Sequence, residues 1–168
     1  MESVIKDPRL KGKCQTFTPE NFVSLMLDLA GYKDALLGKR ILENCCGDGQ
    51  FLVQIVKRYI EAALREGYSN REIAKGLETD IFAYEIDEVL VNKCKERLNA
   101  IVHKYDLEAI NWHIGCKDYL SQEVCGAFDF IVGNPPYIAY QDLPAELRIE
   151  LKNNFKVCKK GKFDYCYK

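Results

Sequence analysis

The sequence predicts an α/β fold in which helices cover both faces of a parallel β-sheet. Short apolar runs, several bounded by polar residues or glycine, are typical of strands, and the segments between them carry apolar residues at helical spacing. The predicted strands are 40–44, 81–85, 110–114 and 128–132. Strands that alternate with helices favour a parallel sheet with right-handed crossovers. Such sheets bind ligands beyond the carboxyl ends of their strands, so those ends are where a site is expected.

Three long helical patterns accompany these strands. Thr18 and Pro19 predict the start of the first helix, as an N-cap followed by a proline at the first helical position. Residues 66–80 predict a polar turn and then a short helix. The apolar faces of the three long helices comprise Phe22, Leu25, Met26, Leu29 and Ala30 in the first, Leu52, Ile55, Val56, Tyr59, Ile60 and Ala63 in the second, and Val91, Cys94, Leu98 and Ile101 in the third.

The composition of residues 1–168 predicts a single packed domain. Apolar residues make up 48% of the chain and charged residues 29%, which disfavours disorder. No apolar run approaches the roughly 18 residues that a membrane span requires. The N-terminus lacks the features of a secretory signal, so we expect a cytoplasmic protein without a membrane partner.

The cysteines and the charges narrow the possible functions. The chain has eight cysteines and two histidines but no C-x-x-C pair, so we expect reduced thiols and no metal site. A net charge of −1 argues against a generally basic nucleic-acid binder. Seven Lys or Arg residues lie between Arg148 and Lys168, and they either contact phosphates or form a solvated helix face.

Acidic residues lie at or just after the ends of three predicted strands. Glu43 closes the first, and the G-x-G formed by Gly47 and Gly49 opens the next helix, where glycines permit a tight turn and close approach of a ligand. A third glycine, usual for dinucleotide pyrophosphate, is missing, which argues against a nicotinamide dehydrogenase. Glu85 ends the second strand, where an acid can accept the hydroxyl groups of a ribose. Its neighbour Asp87 is better placed to cap the following helix.

The segments after the third and fourth predicted strands carry groups that suit adenine. Asp118 can accept a hydrogen bond from an adenine amine, and Tyr119 can cover the ring. After the fourth strand comes Asn134-Pro135-Pro136-Tyr137, a loop stiffened by two prolines. The Asn134 side-chain oxygen and the Pro135 carbonyl can hold the two hydrogens of an aromatic amine, and Tyr137 can stack on its ring. If the reaction is transfer of a methyl group from an activated donor to this amine, it depends on orientation of the reactants more than on a general base.

The order of these motifs resembles the gamma-class adenine DNA methyltransferases of restriction–modification systems. Residues 12–20 are similar to that family's N-terminal cofactor motif, and residues 161–165 are similar to the segment that follows its catalytic loop. The resemblance implies a Rossmann-like S-adenosylmethionine-dependent methyltransferase fold and a target adenine flipped out of double-stranded DNA. It implies cofactor contacts from Gln15, Phe17, Thr18, Glu43, Gly47, Gly49, Glu85, Ile86, Asp118 and Tyr119, and a catalytic loop of Asn134, Pro135, Pro136 and Tyr137.

The family's fold has seven strands and a separate target-recognition domain, whereas four strands are predicted here. We therefore expect an incomplete catalytic domain without the recognition domain, unable to methylate a specific site by itself. We also expect its fourth strand to form a sheet edge that favours self-association. Three alternatives remain open: a protein-glutamine methyltransferase, an RNA-base methyltransferase, and a non-catalytic cofactor-binding module.

Overall fold

The structure, a computed structural model, describes residues 18–119 and 126–162. The described residues up to Asn134 form one compact unit, and those from Pro135 onwards belong to another. The first unit contains α1 (Glu20–Leu29), β1 (Ile41–Glu43), α2 (Gln50–Arg65), α3 (Asn70–Asp80), β2 (Ile81–Glu85), α4 (Glu88–Lys104), β3 (His113–Cys116) and β4 (Phe130–Val132). The second contains α5 (Ala145–Asn154) between two short 3-10 turns, Tyr140–Asp142 and Lys156–Cys158.

The four strands form one parallel sheet in the order β3-β2-β1-β4. Ile41 of β1 pairs with Ile81 on one side and with Phe130 on the other. The predicted fold class is thus confirmed. From β1 the chain adds β2 and β3 on one side and then β4 on the opposite side. The strand order therefore reverses between β1 and β4, and ligands of such sheets bind beyond the carboxyl ends of the strands at this point.

One face of the sheet and the helices α1 to α4 share a hydrophobic core. Ile41, Ile81 and Ala83 face this core, where they join the buried residues of the four helices. Leu42 and Phe82 alternate with them and point to the opposite face. On that face the Arg40 guanidinium lies 4.7 Å from the centre of the Phe82 ring. Coverage of this second face by helices stays a prediction.

The third strand begins later than the sequence predicts. Pairing with β2 starts at His113, which lies opposite Phe82, whereas the predicted strand covered residues 110–114. The preceding residues pack against helices instead. Trp112 is buried and donates its indole N–H to Asn99 Oδ1 of α4 at 2.8 Å. The backbone N–H of Asn111 bonds to a side chain of α3 rather than to a strand, so apolar alternation here marks helix contact.

The predicted buried face of α1 is wrong. Val23 and Leu27 are fully buried, whereas all five residues of the predicted face are exposed: Phe22, Leu25, Met26, Leu29 and Ala30. Arg58 of α2 explains the rotation of the helix. Its guanidinium donates to the Ser24 hydroxyl at 2.7 Å and to the Asp28 carboxylate at 2.7 Å. The polar side of α1 therefore faces α2.

Thr18 does not cap α1, contrary to the prediction. The helix begins at Glu20, Pro19 occupies the N-cap position, and no side-chain cap is formed. Two other local predictions are confirmed. Asp87 accepts the Val89 N–H at 2.9 Å and caps α4. The helix expected within residues 66–80 is α3, which begins after a capping box.

In the described ranges, no helix is long and apolar enough to cross a membrane. Within the described ranges, Cys45, Cys46, Cys94 and Cys116 are thiols rather than disulfide partners.

Candidate cofactor and catalytic site

Glu43 places a buried carboxyl group at the carboxyl end of β1. The residue is 1% exposed, and its Oε2 atom has no hydrogen-bond partner among the described residues. Burial raises the pKa of Glu43 well above that of an ordinary carboxyl group, and the neighbouring Cys94, Glu85 and Asp48 raise the pKa further. A buried polar atom without a partner is unusual in a folded protein. Glu43 is therefore suited to a polar or cationic ligand group.

The loop after β1 depends on Gly49 for its shape. Gly49 has φ +89°, and a Cβ at this position would lie 2.6 Å from the Cys94 sulfur of α4. Gly47 also has a positive φ, +54°, but open space around the position of a Cβ. Arg97 of α4 holds the residue between the two glycines, because its Nη1 donates to the Asp48 carbonyl at 3.0 Å. The loop is therefore fixed by α4.

Glu85 connects this loop to the end of β2. Its Oε2 accepts the backbone N–H of Gly47 at 2.9 Å. Its Oε1 accepts the backbone N–H groups of Ile86 and Asp87 at 2.8 and 3.0 Å. A carboxylate offers about four acceptor positions, so one remains for a ligand hydroxyl. The carboxylate is thus oriented before any ligand binds.

Apolar and aromatic groups lie beside this acid. Ile86 is 49% exposed directly after Glu85. After β3, the Tyr119 ring lies 5.6 Å from the Tyr84 ring, measured between centroids, and Asp118 and Tyr119 are both half-buried. Gln15 and Phe17, also predicted to contact the cofactor, lie outside the described residues.

The end of β4 lies against the loop that follows β1. A Cβ on Gly133 would come within 2.7 Å of Asn44 Oδ1 and 3.6 Å of the Cys45 sulfur, so only glycine fits without displacing a neighbour. Burial, together with Glu43 and Glu85, raises the pKa of the Cys45 thiol to about 12, while the Asn134 backbone N–H lowers the pKa. This thiol therefore stays protonated at neutral pH and acts as a packing group.

The Asn134 side chain reaches across to Thr18. Its Nδ2 donates to the Thr18 hydroxyl oxygen at 3.0 Å, and the bond is partly buried. This bond joins residues separated by 116 positions. The structure thereby brings Thr18, one residue of the predicted N-terminal motif, to the predicted catalytic amide at the carboxyl edge of the sheet.

The rest of the predicted catalytic loop belongs to the second unit. Pro135 and Pro136 are half-buried, and Tyr137 is 64% exposed. Within the same unit Arg148 donates to the carbonyls of Leu143 and Gln141 at 2.8 and 3.0 Å. This arginine, counted above as a possible phosphate contact, thus has a structural role. Among the described residues of this unit, the exposed lysines are Lys156, Lys159, Lys160 and Lys162.

Several residues that shape the site were missed from the sequence. Arg97 and Cys94 lie in the middle of a helix and carry no motif, and only the folded structure brings them to the β1 loop. Gly133 offered a signal, because a glycine between a strand and a functional residue can mark close backbone approach. Asn44 and Cys45, which Gly133 approaches, stood beside predicted residues.

The fold and the motifs of this chain are those of the Rossmann-like methyltransferases. Residues 23–168 match the family model described as Eco57I restriction-modification methylase. The chain belongs to this family. It is 30% identical over 164 residues to the Type II methyltransferase M.PaeR7I of Pseudomonas aeruginosa, an alignment covering 92% of this chain. The chain spans only 28% of that relative's length.

Two solved structures have the same fold. A modification subunit of a putative type I restriction enzyme from Vibrio vulnificus YJ016 matches with a TM-score of 0.54 and 21% identity, over 82% of this chain and 28% of that one. A nuclease-deletion mutant of the Type ISP restriction-modification enzyme LlaGI, in complex with a DNA substrate mimic, matches with a TM-score of 0.52. Its identity is 21%, over 73% of this chain and 13% of that one.

Proposed function

We propose that this chain is the catalytic, S-adenosylmethionine-binding part of a site-specific DNA methyltransferase. Its product would be adenine methylated at N6, within a restriction–modification system. One observation carries the proposal: Asn134 follows β4, which lies next to the acid-ended β1, and its side-chain nitrogen is bonded to Thr18. Family membership supports the same reaction class. We also propose that the protein acts on double-stranded DNA and is located in the cytoplasm.

The residues at the carboxyl edge fit S-adenosylmethionine. The orphaned Glu43 carboxyl oxygen suits the ammonium group of the methionine portion. The remaining acceptor position of Glu85 suits a ribose hydroxyl, and exposed Ile86 suits an adenine face. Asp118 and Tyr119 would complete the adenine contacts. When bound, the cofactor supplies a methyl group activated by a sulfonium, and the protein's task is orientation.

The positive φ of the two loop glycines matters for this fit. Gly47 and Gly49 turn the chain sharply between β1 and α2, and the open space beside Gly47 leaves its backbone accessible to the cofactor. Gln15, Phe17 and the backbone of Thr18 are proposed to complete the methionine side.

At the other end of the site, Asn134 Oδ1 and the Pro135 carbonyl would accept the two hydrogens of the adenine amine. This draws the nitrogen towards tetrahedral geometry and localises its lone pair. The lone pair would then be directed at the methyl group that the bound cofactor supplies, and one amine proton would leave to water. Pro136 would keep the loop rigid, and the exposed Tyr137 ring would stack on the flipped base.

Two measurements test this proposal. Calorimetric titration with S-adenosylmethionine should give saturable binding, whereas NAD should give none; binding of NAD alone would contradict the assignment. Methyl transfer to duplex DNA, RNA and a glutamine-containing peptide should then be compared with a version of the chain that includes a target-recognition domain. We expect N6-methyladenine in DNA, lost in Asn134→Ala but kept in Asn153→Ala, which changes an exposed residue of α5.

Self-association is a separate part of the proposal. Within the described sheet, β4 is an edge strand and Ile131 on it is 64% exposed. Exposed apolar edges favour pairing with another chain. Light scattering after size exclusion should show a concentration-dependent increase in mass that Ile131→Lys abolishes. A monomer at every concentration would refute this expectation.

A further inference from the structure

We propose that the Thr18 hydroxyl is a positioning group for Asn134, which sets the orientation of the catalytic amide. The inference deepens the proposed function and rests on it. The supporting contact is the 3.0 Å hydrogen bond from Asn134 Nδ2 to Thr18 Oγ1. Because Thr18 makes no capping bond to α1, its hydroxyl has no role in starting that helix.

The orientation of the amide decides whether it can act. An amide side chain has a donating end and an accepting end, and holding an amine hydrogen requires the accepting end. With Nδ2 engaged by Thr18, Oδ1 is directed away from Thr18 and is available to the amine. Rotation by 180° would present two donors to the amine hydrogens and would repel them. The Thr18 hydroxyl can donate as well as accept, so it holds the amide in place, and repulsion between the donors selects the orientation that presents Oδ1 to the amine.

The backbone of Asn134 is held independently. The end of β4 approaches the β1 loop so closely that a Gly133 Cβ would meet Asn44 Oδ1 at 2.7 Å. The Asn134 backbone N–H also interacts with the Cys45 sulfur. Backbone position is therefore set by the β1 loop, and side-chain rotation by Thr18. This division predicts that removing the hydroxyl leaves Asn134 in place but free to rotate.

The test compares Thr18→Val, which removes the hydroxyl at constant shape, with Thr18→Ser, which restores it. Thr79→Val is the matched control, since its hydroxyl bonds within α3. Single-turnover methyl transfer to duplex DNA should fall roughly ten- to a hundredfold in Thr18→Val, as for misplacement of a reacting group. Affinity for S-adenosylmethionine should stay within about twofold of the wild-type value, and Thr18→Ser should regain most of the rate.

Two results with active wild-type protein would overturn the inference. Thr18→Val could retain the wild-type rate, or it could lose cofactor affinity in proportion to the rate, which would make the hydroxyl a cofactor ligand. Failure of Thr18→Ser to recover the rate would also count against it.

A second readout separates this inference from the proposed function. If the wild-type protein transfers no methyl group to DNA even when a target-recognition domain is supplied, the proposed function fails. The contact is then tested on the Asn134 side-chain amide signals in a ¹⁵N correlation spectrum. These signals are identified by their loss in Asn134→Asp. Their hydrogen exchange should be slow in wild type and Thr18→Ser and fast in Thr18→Val. Equal exchange in all three proteins would overturn the positioning role.

Discussion

Substitution of Gly49 by alanine should destabilise the protein through two separate effects. The first is conformational, because φ is +89° at this position and a left-handed conformation costs an L-residue about 1–2 kcal/mol. The second is steric, because the new Cβ would lie 2.6 Å from the sulfur of the fully buried Cys94. Overpacking of a core costs about 1–3 kcal/mol. The free energy of unfolding should therefore fall by about 2–5 kcal/mol.

Gly47→Ala is the matched control for this substitution. Gly47 has φ +54° but no atom within 4 Å of the Cβ position, so only the conformational cost of about 1–2 kcal/mol applies. The difference between the two variants measures crowding by Cys94. Urea unfolding followed by circular dichroism gives both free energies, provided that the slopes agree.

A double-mutant cycle locates the steric effect. Cys94→Ala removes the sulfur and leaves the contacts with the Cβ and Cα of residue 94 at 3.4 and 3.6 Å. Combined with Gly49→Ala, it should cost about 1–3 kcal/mol less than the sum of the single changes. Equal destabilisation by the two glycine substitutions, together with strict additivity in the cycle, would refute the crowding argument.

Three further predictions concern the core and its buried acids. Leu27 is buried and Leu29 is 79% exposed, so Leu27→Ala should lower the free energy of unfolding by about 2–5 kcal/mol and Leu29→Ala should change it by less than about 0.5 kcal/mol. Similar values for the two variants would support the buried face predicted from the sequence instead. Tyr59→Phe should cost about 1–3 kcal/mol, measured by urea unfolding, because it leaves the buried Asp80 carboxylate without one donor; no loss would contradict this contact. Burial raises the pKa of Glu43, so the free energy of unfolding of the wild type should fall as pH rises from the usual carboxyl pKa towards the raised value. Glu43→Gln should lack this fall, and parallel pH profiles of the two proteins would contradict the prediction.

Much of the fold could be predicted from the sequence because local and long-range signals agreed. The strand 81–85 is apolar, flanked by helical patterns, and coincides with β2. The β4 strand is shorter than the predicted 128–132, since pairing with β1 begins at Phe130. Burial of all three residues of β1 likewise matches a strand inside a parallel sheet.

Failures arose where tertiary contacts outweighed local pattern. Periodicity identified α1 but not its buried side, because the position of Arg58 on another helix decided the rotation. Thr18 has the residue type of an N-cap, yet its hydroxyl serves a residue far along the chain. The segment before β3 alternates like a strand but packs on helices. The spacing of apolar residues along the chain indicates which side chains are buried, but the element against which they pack depends on the topology of the fold.

The acids at strand ends were predictable because parallel strands bring their carboxyl ends to one edge. Their interactions were not. Nothing in the sequence indicates that Glu85 would bind three backbone N–H groups, or that a Glu43 oxygen would remain without a partner. Such details depend on distances of a few tenths of an ångström between segments.

The three amide bonds of Glu85 also determine when the loop after β1 becomes ordered. Gly47, Ile86 and Asp87 share a single carboxylate, so their amide protons should become accessible to solvent together, in one opening event. The entropy lost in fixing this loop is lost during folding and not on ligand binding. A ligand would therefore meet a rigid edge, with an association rate limited by encounter and desolvation instead of loop closure.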